Sequence, residues 1–130
     1  MARFTDIVVD AVDPPLMARF WANVLDDYAI RPYDAAEIER LETLGFTPET
    51  DPTVALDGPG PTVFFQRVER AHADHASKRA DALHLDLRSP DTEAECERLR
   101  ALGARMLAEH ADHRVLCDPE GNRFCLLPSA

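Results

Sequence analysis

The 130-residue sequence predicts an α+β fold built from two similar halves. Three observations carry this. Short β-branched or alternating segments bracket two helical stretches. The order strand, helix, strands occurs twice. A shift of 78 residues lays one helix on the other, with Asp13 on Asp91, Ala18 on Cys96, Trp21 on Leu99 and Val24 on Leu102. Both halves also end in a Pro/Gly turn feeding a strand, "DGPGPTVFFQ" and "DPEGNRFCLL". Two copies make an internal duplication rather than a solenoid.

Along the chain, "FTDIVVDAV" (4–12) is β-branched and reads as a strand. "DPP" (13–15) starts a helix, with Asp13 as N-cap and proline at the first helical positions. Met17, Phe20, Trp21, Val24 and Leu25 then recur at helical spacing. "DDYAIRPY" gives a short strand, and 34–49 a second helix, capped by Asp34 and stopped by Gly45. "PTVALD" (52–57) is a weak strand, "GPGP" a turn and "TVFFQRV" (62–68) a strong strand. The polar segment 69–81 reads as a connector, and its His72 and His75 as solvated loop residues. "ALHLDLR" (82–88) alternates as a half-buried strand does. Residues 89–103 form a helix with an acidic first turn and a glycine stop. "ARMLAE", "HRVLC" and "NRFCLL" close the chain as three strands. Module one covers about 3–68 and module two about 82–127 of a single domain, 1–130.

Composition narrows the function. The formal net charge of -10 opposes binding to nucleic-acid phosphates or an anionic membrane surface. No apolar run reaches the roughly 20 residues of a membrane span. Three cysteines without a C-x-x-C pair argue against a disulfide framework. With a strand pattern starting at the N-terminus, the expectation is a reduced, cytoplasmic protein. Cys96 and Cys117 are expected in the packing, Phe20 and Trp21 in the core, and "DPEGN" in a turn.

Strand alternation sorts the side chains into two faces. Ile7, Val9, Ala11, Val63, Phe65, Leu85, Leu87, Phe124 and Leu126 are expected toward the helices. Asp6, Val8, Asp10, Phe64, Gln66, His84, Asp86, Arg123, Cys125 and Leu127 are expected on the opposite face. Asp6, Gln66, His84 and Cys125 make a candidate metal set, since carboxylate, amide oxygen, imidazole and thiolate all ligate divalent ions.

"DPPLMARFWANVL", "GPGPTVFFQRV", "LHLDL", "EAECERLRALGA" and "DPEGNRFCLL" together resemble the glyoxalase-like branch of the vicinal oxygen chelate superfamily. The resemblance runs from about Phe4 to Leu127. It implies two βαβββ modules forming a curved mixed sheet around a cup, a small-molecule ligand, a homodimer and, as in the metal-dependent members only, a divalent metal. It places the family's ligand positions on Asp6, Gln66, His84 and Cys125. Here Gln66 and Cys125 stand where metal-dependent relatives hold glutamates. Glyoxalase chemistry, which needs a metal and a base, is therefore not expected. In an enzyme, His84 would act as ligand or acid/base and Cys125 as soft ligand or nucleophile. Phe64, Gln66, Asp86 and His113 would touch the ligand. The alternatives are a metal-dependent lyase, isomerase or dioxygenase, and a non-catalytic sequestering protein of the bleomycin-resistance kind.

Overall fold

The computed structural model describes residues 1, 3–69 and 84–129. His72 and His75, and the start of the 82–88 strand, lie outside the described residues. The chain divides into two compact units, Met1–Arg70 and Ala71–Ala130.

In the first unit β1 (Asp6–Ala11) leads into α1 (Pro14–Val24). The Asp13 side chain caps α1 by accepting the Leu16 N–H at 3.2 Å, and prolines fill the first helical positions, whose N–H groups have no partner in a helix. Next come β2 (Ala29–Ile30), α2 (Ala35–Thr43), a 3-10 turn (Pro48–Thr50), β3 (Thr53–Asp57) and β4 (Thr62–Arg67). Asp34 caps α2 through the Glu37 N–H, and Gly45 leaves it with a φ of 85°, a left-handed backbone that suits glycine. The sheet order is β1-β4-β3-β2, with β1 parallel to β4 and the other pairs antiparallel.

The second unit repeats the plan. β5 (Leu85–Ser89), α3 (Thr92–Leu102), β6 (Arg105–Glu109), β7 (Arg114–Cys117) and β8 (Arg123–Pro128) form a sheet of order β5-β8-β7-β6, again with the outer pair β5–β8 parallel. Asp91 caps α3 as Asp13 caps α1, accepting the Ala94 N–H at 3.0 Å. The two caps stand 78 residues apart, the shift at which the helical stripes coincide. The fold is thus α+β, two βαβββ modules each with a mixed sheet. No helix among the described residues is long and apolar enough to cross a membrane.

In each unit the helix that follows the first strand, α1 or α3, covers one sheet face. In the first unit Met17, Ala18, Phe20 and Trp21 of α1 are buried, as are Val54, Leu56 and Phe65 of the sheet. Phe20 and Trp21 meet edge to face at 5.4 Å, adding to their area burial. In the second unit the buried set is Cys96, Leu99, Leu116, Cys117, Phe124 and Leu126. The burial pattern alternates along β1, β5 and β8, so the helix-facing residues are those the sequence alternation selects.

Two buried carboxylates fix loops. Asp51 is 4% exposed, accepting the Tyr33 hydroxyl at 2.7 Å and the Thr53 N–H at 3.0 Å. Burial, reinforced by that bond to Asp51, holds the Tyr33 phenol well above its usual range. Asp118 is fully buried and organises "DPEGN". Its Oδ1 accepts the N–H groups of Glu120 and Asn122, its Oδ2 accepts Asn122 Nδ2, and its carbonyl accepts the Gly121 N–H at 3.0 Å. Among the described residues no buried side-chain polar atom lacks a partner. Asp118→Ala would strand three donors and is expected to lower unfolding stability by about 2–4 kcal/mol. Asp118→Asn keeps the Oδ1 acceptor and should fall between. Urea denaturation of the three proteins checks the order.

Candidate functional site

On the open face of the second sheet, the face turned away from α3, three donor side chains gather. His84 immediately precedes β5, and Asp86 lies two residues on, hence on the same face. The parallel register sets Asp86 directly opposite Cys125 of β8. One ligand atom from each of His84, Asp86 and Cys125 lies within 4.8 Å of the others. His84 Nε2 and Asp86 Oδ1 are 3.4 Å apart. His84 and Asp86 are exposed and Cys125 is half-buried. On its other side Cys125 neighbours Val115 of β7.

Burial pushes the Cys125 thiol above its usual range, and the Asp86 carboxylate adds to the shift. At neutral pH Cys125 is therefore a thiol, poorly suited as an unaided nucleophile. Cys96 and Cys117 are buried, and burial raises the Cys96 thiol likewise. Cys125 is thus the most accessible of the three thiols.

Asp6, Gln66 and Phe64 belong to the sheet of the first unit. On the first unit's open face Asp6 pairs with Thr62, whereas Gln66 pairs with Asp10. Four rungs separate Asp6 from Gln66, about 13 Å along a strand, so the register does not bring these two to one ion. Comparing ladders shows why: Val8 faces Phe64 in the first unit where Asp86 faces Cys125 in the second. Phe64, not Gln66, therefore holds the rung corresponding to Cys125. The Arg31 guanidinium lies 5.6 Å from the Phe64 ring centroid and is bonded twice to Asp57, at 2.8 and 2.9 Å. This pair holds the Asp57 carboxyl below its usual range. No periodicity in the sequence points to the Arg31–Phe64 stack, because it joins residues from separate segments.

His113 sits one residue before β7. Its Nδ1 lies 2.7 Å from Asp112 Oδ1, and its ring stacks on His110 at 4.5 Å. The bond to His113 lowers the Asp112 carboxyl. His113 is thereby tied into the β6–β7 hairpin rather than into the His84–Asp86–Cys125 trio.

Two helix-covered mixed sheets with a parallel outer pair, one of them with a donor trio on its open face, define a class of small α+β protein. The model of the glyoxalase-like domain matches residues 6–127, and the chain belongs to that family, within the vicinal oxygen chelate superfamily. No curated protein matches the sequence. Solved structures resemble it over nearly its whole length. A glyoxalase/bleomycin resistance protein/dioxygenase family enzyme from Burkholderia phytofirmans PsJN has a TM-score of 0.64 at 16% identity, with 99% of this chain and 100% of that chain covered. A hypothetical protein from S. aureus has a TM-score of 0.62 at 12% identity, with 99% of each chain covered. The bleomycin-binding protein of Streptomyces verticillus, solved with copper(II)-bleomycin, has a TM-score of 0.52 at 18% identity, with both chains fully covered. At these identities the likeness shows the fold.

The Cys125 environment makes a direct prediction. Alkylation by iodoacetamide at pH 8 should be slow at Cys125, and Asp86→Asn should speed it severalfold, because removing the neighbouring negative charge favours the thiolate. Peptide mapping by mass spectrometry reads the rate at each cysteine. Equal rates in the two proteins would contradict this electrostatic account.

Proposed function

We propose that the protein binds a small molecule on the open face of its second unit, with His84, Asp86 and Cys125 holding a divalent cation there. The observation that carries this is the convergence of an imidazole, a carboxylate and a thiol from two paired strands. Nitrogen, oxygen and sulfur donors together suit zinc, and three protein ligands leave a position for a ligand molecule. A cation there would polarise a ligand oxygen. Asp86 supplies negative charge, His84 reaches out from the strand end, and Cys125 sits half-buried at the base of the trio.

The residues favour binding over glyoxalase I chemistry. Gln66 is an amide that accepts no proton in the usual pH range, and Cys125 is a protonated thiol without a cation and an occupied ligand with one, so neither replaces a carboxylate base. Turnover of methylglyoxal with glutathione is expected to be absent. The bleomycin-binding fold relative, solved with a copper-bearing ligand, supports sequestration as the form this binding takes.

The thiol must lose its proton to ligate, and its raised pKa extends proton competition into the alkaline range. Zinc affinity should therefore rise from pH 6.5 to 8.5. Protein as purified is expected to hold less than one ion per chain. In calorimetric titrations of chelator-treated protein, His84→Ala and Cys125→Ser should each weaken zinc binding at least about tenfold, the loss of a ligand being no milder than the about 10–100-fold measured for ligand-supporting groups. Unchanged affinity in both variants would overturn the assignment.

A further inference from the structure

His113 stands outside the donor trio yet on the same sheet face. Val115 of β7 pairs with Cys125, and Arg114 pairs with the buried Leu126. Arg114 therefore turns to the helix side, where its charge acts on the Cys96 thiol of α3. Alternation returns His113 to the face of Val115 and Cys125. The pairing of β6 with β7 reaches this point, because the His110 N–H donates to the His113 carbonyl at 2.9 Å. In an antiparallel pair, residues set diagonally on one face stand about 7–8 Å apart, within reach of an aromatic ring. His113 is such a diagonal neighbour of Cys125. Val115 and Leu127 are half-buried on the same face beside them. A small group held at the trio would rest on these two apolar side chains and meet the imidazole.

The ring is set before any ligand arrives. Its Nδ1 lies 2.7 Å from Asp112 Oδ1, and its plane stacks on the exposed His110 ring at 4.5 Å and 19°. The bond to His113 holds the Asp112 carboxyl below its usual range, so Asp112 is an anion at neutral pH. A carboxylate only accepts, so Nδ1 is the nitrogen that donates. In the neutral imidazole Nε2 then carries a lone pair and no proton. Nε2 has no hydrogen-bond partner among the described residues. With Nδ1 held at the tip of the hairpin, Nε2 is the nitrogen turned away from the tip.

We infer that His113 Nε2 accepts a hydrogen bond from the ligand, selecting molecules that carry an N–H or hydroxyl group beside the oxygen that meets the cation. This rests on the reading of the trio as a cation site and adds the class of ligand: a compact molecule with a chelating oxygen and an adjacent donor. A ligand without that donor would leave Nε2 facing an apolar group and forgo the bond. Asp112 is a positioning residue, acting only by keeping the proton on Nδ1. His113 and Asp112 lie outside the group of metal donors, so neither is needed to hold the ion.

Two matched probes test this on the zinc-loaded full chain: acetohydroxamate, and its N-methyl analogue, which keeps both oxygens and lacks the N–H. The preference for acetohydroxamate should be about fivefold greater in the parent protein than in His113→Ala, the scale of one hydrogen bond. Asp112→Ala should fall between them, and zinc affinity should be unchanged in both variants. Long-range proton–nitrogen NMR spectra of the neutral His113 ring should show its proton on Nδ1 in the parent. Adding acetohydroxamate to the zinc form should shift the Nε2 resonance. A proton on Nε2 in the parent, or the same preference in the parent and His113→Ala with zinc affinity intact, would overturn this inference and leave the cation reading standing. A parent protein that binds no zinc would overturn the cation reading and this inference with it.

Discussion

In each unit the parallel pairing of the first strand with the last decides what the open face contains. The β-α-β connection carries the chain over one face of the sheet, and the last strand then inserts beside the first. Apolar side chains on the covered face fix this register, because a slip of one residue would turn Phe124 and Leu126 outward and Cys125 inward. The same register that buries Phe124 and Leu126 therefore puts Cys125 opposite Asp86. Core packing and the placement of Asp86 beside Cys125 are two sides of one pairing, and His84 joins them from just before β5.

Electrostatics then give the trio its character. Asp86 is both a prospective ligand and the charge that, after burial, keeps the Cys125 thiol protonated. A free protein thus presents a quiet thiol beside an exposed carboxylate and imidazole, and a cation must displace a proton to engage all three. That is poor chemistry for a nucleophile and reasonable chemistry for a reversible binding site.

Much of this was legible in the sequence. Period-two alternation assigns His84, Asp86 and Cys125 to one face, and the caps Asp13 and Asp91 mark the duplicated helices at a common offset. Element order and the asparagine–aspartate turn at "DPEGN" follow from local chemistry that neighbouring residues determine. Register is different, since it depends on where a distant strand comes to rest. The first unit spends α2 and a 3-10 turn between β2 and β3, and the second has no such segment, so equal spacing cannot carry positions from β4 to β8. For this reason Gln66 looks equivalent to Cys125 in the sequence, while the ladder gives that rung to Phe64.

Zinc-edge X-ray absorption on the zinc-loaded protein tests the central claim most directly. The account predicts one sulfur neighbour at about 2.3 Å together with nitrogen and oxygen neighbours at about 2.0–2.2 Å, with the sulfur shell lost in Cys125→Ser. A first shell of nitrogen and oxygen alone in the parent protein, or a sulfur shell that persists in Cys125→Ser, would contradict it.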